Sequence, residues 1–130
     1  MDPKYILDIA ELDSQHEEIE KIFIELQQAV EDKPRWNALL ETLCEKLKYH
    51  FYAEESIMKV FAYPEIQEHV KSHLQILKAV ENYRDNTLSD LEVEKFKEHQ
   101  PMQVFLEVIL SQDMRFSAFL KKHKALQGVQ

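Results

Sequence analysis

Glycine is nearly absent from this chain of 130 residues, which has one; proline occurs four times and cysteine once. So little glycine excludes loops that cradle phosphates and makes the tight turns of an all-β fold hard to build. No G-x-x-x-x-G-K, G-x-G-x-x-G or G-x-S-x-G segment occurs. A single cysteine, Cys44, cannot form an intrachain disulfide, which fits a reducing compartment. On a helix beside Leu43 it reads as a packed, inert thiol. No apolar run approaches the ~18 residues that would suggest a membrane span. The opening Met1-Asp2-Pro3-Lys4 does not resemble a signal peptide. These absences predict a soluble, cytoplasmic protein with no membrane partner. Positive charge is also short: the net charge is −8, which disfavours nucleic acid, because neutralising phosphates needs a basic face. The one basic cluster, Lys121-Lys122-His123-Lys124, reads as a complement to the negative end of the last helix.

What the chain does have is helical periodicity. Hydrophobic residues make up 45% and charged residues 31%, a balance that suits one globular domain with its own core. Apolar positions recur at alternating spacings of three and four. The first run is Leu12, His16, Ile19, Phe23, Leu26 and Val30, with Ser14-x-x-Glu17 as a capping box at its start. The second is Trp36, Leu40, Leu43, Leu47, His50, Glu54, Ile57 and Phe61. The third is Ile66, His69, His73, Ile76, Val80 and Tyr83. The fourth is Met102, Leu106, Ile109, Asp113, Phe116 and Leu120. Pro34, Pro64 and Pro101 stand where helices would begin, and proline at the first helical position forfeits no hydrogen bond. The expected helices span about 14–31, 34–62, 64–86 and 101–123. Short links force antiparallel neighbours, so the expected fold is all-α, an up-down-up-down four-helix bundle forming a single domain.

Six seam positions are polar: His16, His50, Glu54, His69, His73 and Asp113. Taken alone, His16 reads more readily as a half-buried, hydrogen-bonded histidine than as a ligand, and the two i, i+4 pairs could be surface pairs. Their heights argue otherwise. Counting residues from each connecting turn sets His16 level with His50, Glu54 level with His69 and His73, and His73 level with Asp113, within a few ångström at ~1.5 Å per residue. Groups on a buried seam are costly to desolvate unless paired or bound. Imidazoles with carboxylates suit iron, zinc or copper rather than calcium, and residues at i, i+4 can address one centre or two adjacent ones. The remaining histidines, His99 and His123, would lie ~15–20 Å along the bundle from Asp113 and read as solvated.

At these residues the chain resembles bacterial hemerythrins. Ile9-Ala10-Glu11-Leu12-Asp13-Ser14-Gln15-His16 is similar to the family's first-helix segment. His50-Phe51-Tyr52-Ala53-Glu54-Glu55-Ser56-Ile57-Met58 matches its H-F-x-x-E-E-x-x-M motif. Tyr63-Pro64 with His69 and His73 matches the third helix, and Asp113 with Phe116 and Leu120 the fourth. The resemblance implies non-haem iron, two atoms per chain. His16 and His50 would bind one, His69 and His73 the other, and Glu54 and Asp113 would bridge them. It implies binding of dioxygen, or another small diatomic ligand, for transport, storage or sensing. Ile19, Phe23, Phe51, Ile57 and Phe116 would form an apolar cage, although all five also fit a plain core.

One family feature is missing. The last helix of the family carries a fifth histidine in a W-L-x-x-H-I-x-x-x-D pattern; here Val108 or Ile109 stands in its place. Glu107 is the nearest substitute, but it is rotated about 100° from Val108 on an ideal helix, so only a bulge could bring it in. The second iron would then keep an open or water-filled position, weakening that site. Two alternatives to oxygen binding follow. One is a di-iron redox enzyme acting on peroxide, ferrous iron or nitric oxide, and the other is a metal-poor structural bundle.

Overall fold

The computed structural model describes residues 2–85, 94, 96 and 101–128, the last five by backbone alone. Among them the chain forms four helices and no strand: α1 (Ala10–Gln28), α2 (Lys33–Val60), α3 (Ile66–Asp85) and α4. The last runs Pro101–Val108, passes through a π-turn at Ile109–Asp113, and continues as Met114–Gly128. The expectation of an all-α four-helix bundle holds. Neighbouring helices run antiparallel, because their contacts move in opposite directions along the two partners. Glu18 meets Lys46 while His16 meets His50, and Glu81 meets Lys48 while His73 meets Glu55.

The boundaries depart from the periodicity in instructive ways. α1 begins at Ala10 instead of near Ser14, and Ile9 precedes it with no side-chain cap. Ser14 is therefore an exposed interior helical residue and not a cap. Burial explains this start. Leu12 is fully buried and must lie on the helical seam, and Asp8, at φ 61°, turns the chain into it. Asp13 accepts a hydrogen bond from the Leu7 amide, and Ser117 on α4 donates to the Leu7 carbonyl, which ties the N-terminal segment across the bundle. α2 starts as expected: Asp32 accepts from the Arg35 amide, with proline in the first turn.

α2 stops in a Schellman motif. The Tyr63 amide bonds to the Met58 carbonyl, the Ala62 amide to the Lys59 carbonyl, and Ala62 takes φ 51°. Glycine normally fills this left-handed position, and alanine here carries a steric cost. Pro64 lies in the turn that follows, so α3 begins at Ile66 and not at the proline. The core runs the length of the bundle, from Trp36, Leu40 and Phe23 through the polar layer to Met58, Phe116 and Leu120. No described helix is long and apolar enough to cross a membrane.

Candidate metal centre

α1 supplies His16, α2 His50 and Glu54, α3 His69 and His73, and the π-turn of α4 supplies Asp113. All six are buried, none above 2% exposed. They form two overlapping sets, His16, His50, Glu54 and Asp113, and Glu54, His69, His73 and Asp113. Within each set the potential ligand atoms lie within 4.8 Å of one another. Glu54 and Asp113 belong to both, so the arrangement is two adjoining sets sharing two carboxylates.

Two side chains behind the histidines decide which nitrogens face inward. The Nδ1 of His50 donates to Gln15 Oε1 at 2.7 Å, and the Nδ1 of His73 donates to Glu55 Oε2 at 2.8 Å. An amide oxygen and a carboxylate only accept, so each ring's proton sits on Nδ1. In the neutral ring Nε2 then presents a lone pair to the cluster, the orientation that outer hydrogen bonds impose on ligating histidines.

The inward atoms satisfy one another only in part. His50 Nε2 lies 2.8 Å from His16 Nε2 and 3.2 Å from Glu54 Oε2. His69 Nε2 lies 2.5 Å from Glu54 Oε1 and 2.6 Å from Asp113 Oδ1, so one N–H faces two carboxylates. Despite these distances, both Glu54 oxygens and His73 Nε2 are buried without a hydrogen bond of proper geometry. A buried group left in that condition costs about 1–3 kcal/mol. Converging lone pairs from imidazoles and carboxylates are what a cation would satisfy, and this donor set fits a transition metal. The cluster is a metal-binding constellation.

Protonation follows the same crowding. Burial pushes the Glu54 carboxyl upward, but the close imidazoles of His50, His69 and His73 outweigh it and hold it well below the usual range. Burial lowers His69, yet Asp113 and Glu54 overcome this and raise it to about 9. His73 is raised against burial by Glu54 and Glu55. For His50 burial prevails, keeping the ring neutral in spite of Glu54.

Aromatic rings line the layer. Phe51 stacks on His73 at 4.0 Å with 9° between planes, and Phe116 meets His69 edge-on at 6.4 Å. Phe105 packs against His16 at 5.7 Å and His50 at 6.4 Å, with Phe23 behind it at 5.9 Å. Of the five residues expected in the cage, Phe51 and Phe116 touch the histidine rings, whereas Ile57 is only partly buried. Phe105, on no periodic seam read from the sequence, takes a place in the wall. Gln15 and Glu55 stood inside the recognised motifs without a role, and their signal was adjacency to His16 and Glu54.

On α4 a bulge is present, as a π-turn, but it does not bring Glu107 inward. Glu107 is exposed, Ile109 is fully buried and Val108 is half-buried. Among the described residues no other histidine, cysteine, aspartate or glutamate joins the cluster. His123 is not solvated as expected: it is half-buried, its ring 5.5 Å from Phe61 and 5.6 Å from Phe119. His99 lies outside the described residues. A family model described as the hemerythrin HHE cation binding domain matches residues 7–123. No curated protein matches the chain.

Proposed function

The chain belongs to the hemerythrin HHE cation-binding family, and on that premise we propose that it is a non-haem di-iron protein that binds dioxygen. The observation that carries the reading is the pair of overlapping four-residue sets that share Glu54 and Asp113. His16 and His50 would hold one iron, His69 and His73 the other, with both carboxylates serving each. Two ferrous irons bound there would together supply the two electrons that reversible dioxygen binding takes up, one from each.

The chain's own residues set the conditions for that chemistry. Gln15 and Glu55 fix the ring orientations, so little rearrangement is required on loading. Phe51, Phe105 and Phe116 keep water from the layer, which strengthens every charge interaction inside it. The proton that His69 holds below about pH 9 must leave before its Nε2 can bind a cation, so loading releases protons. Iron-loaded ferrous protein exposed to air is expected to gain a near-ultraviolet and visible absorption that deoxygenation removes. An unchanged spectrum on iron-replete protein would overturn the reading.

A second reading rests on the shortage of imidazoles, two for each metal position with none from α4. A less enclosed metal supports turnover, and peroxide, ferrous iron or nitric oxide are the candidate substrates. Turnover abolished by His73→Ala would favour it; stoichiometric binding without turnover would count against it.

A further inference from the structure

Between α3 and α4, on the side where α4 contributes no imidazole, lies a cleft of about 310 Å³. Ile76, Ala79, Val80, Val104 and Val108 form its apolar walls, with Ser72 among the few polar groups, and among the described residues no charged side chain lines it. Its place in the fold ties it to the polar layer. Ser72 and Ile76 stand one residue before and three after His73, and Val108 stands five before Asp113. That five-residue step is one turn of the π-turn, in which the Met114 amide bonds to the Ile109 carbonyl. Gln112 donates to Ser72 Oγ at 2.7 Å, an interhelix bond next to both His73 and Asp113.

We propose that this cleft binds a small, uncharged, ring-sized apolar molecule about one helical turn from the second metal position. Its size and lining select that class. An enclosed apolar cavity of about 150 Å³ already holds a benzene ring, so this space takes one ring or two. An ion would lose its hydration against the described walls, which offer it no opposite charge. The Ser72 hydroxyl offers one polar anchor, which favours a molecule with a single hydrogen-bonding group. Side chains at positions 104 and 108 leave this space open because valine is short. The cleft's relevance to chemistry rests on the di-iron reading, but its binding does not.

The test uses 5-fluoroindole, followed by fluorine NMR, on the full chain in zinc-loaded and ferrous-iron-loaded forms. Saturable binding is expected in both, with the bound signal broadened only by iron, because Ser72, Ile76 and Val108 place the near end of the cleft about one turn from His73 and Asp113. Val104→Trp fills the cleft from a position 47% exposed, and Ala79→Phe does so from the exposed side of α3. Each variant that keeps the wild-type helical circular dichroism should weaken binding at least tenfold while retaining its metal content. No saturable signal, or binding unchanged in folded variants, overturns the proposal. Binding without iron broadening overturns its link to the centre. A chain that takes up no iron but binds the probe refutes the di-iron reading and leaves the cleft standing.

Discussion

Glu54 reaches more of the cluster than any other side chain, since three imidazole nitrogens lie 2.5–3.5 Å from its oxygens. The six polar seam residues were legible from sequence because each broke a hydrophobic period at a matching height. Gln15 and Glu55 were marked only by adjacency to His16 and Glu54, because partly exposed polar residues are ordinary on any helix and the folded pairing is what gives these two a role. Their roles divide between the two positions. Glu55→Ala frees the His73 ring and should weaken metal at the second position about 10–100-fold, the usual effect of losing an outer partner. Gln15→Ala should do the same at the first through His50. Competitive metal titration of the two variants checks this, and equal losses at both positions in either variant would contradict the assignment.

At the scale of the element, helix number, order and faces followed from period and proline placement, while ends and irregularities did not. The start of α1 was hidden because burial of Leu12 outweighs the local preference of Ser14 to cap. The start of α3 was hidden because the Schellman turn that ends α2 absorbs Pro64. The π-turn has no signature in residue type, since Ile109 and Asp113, four residues apart, share a core-facing seam in the regular periodicity as well. Ala62→Gly should raise stability, since a left-handed alanine costs about 1–2 kcal/mol and glycine's extra chain entropy returns only about 0.5–1. Chemical denaturation reads the difference, and a destabilised variant would mean that the alanine methyl packs usefully.

For the whole molecule, the polar layer sets stability against pH in the metal-free chain. His69 is raised from 6.5 to about 9, so the stability it confers is complete below pH 6.5 and lost as pH rises through about 9. His73 acts in the same direction, whereas His50, lowered by burial, confers stability above 6.5 and loses it as pH falls. Glu54 is depressed, so its contribution is present above 4.5 and lost on acidification. Two raised imidazoles against one lowered place the metal-free optimum between about pH 4.5 and 6.5, with the melting temperature declining toward pH 9. Metal reverses the trend, because cation and proton compete for the same Nε2 atoms, so the loaded chain should gain stability over that range. Thermal unfolding of both forms from pH 5 to 9 checks the sign, and parallel curves would contradict it. The most direct measurement is the iron-to-chain ratio in protein purified from iron-fed cells, set beside Glu54→Ala prepared in the same way. Two iron atoms per chain, falling to one or none in the variant, is the predicted result. Iron-free wild-type protein, or a variant that keeps its full iron, would contradict a di-iron centre built on a shared carboxylate.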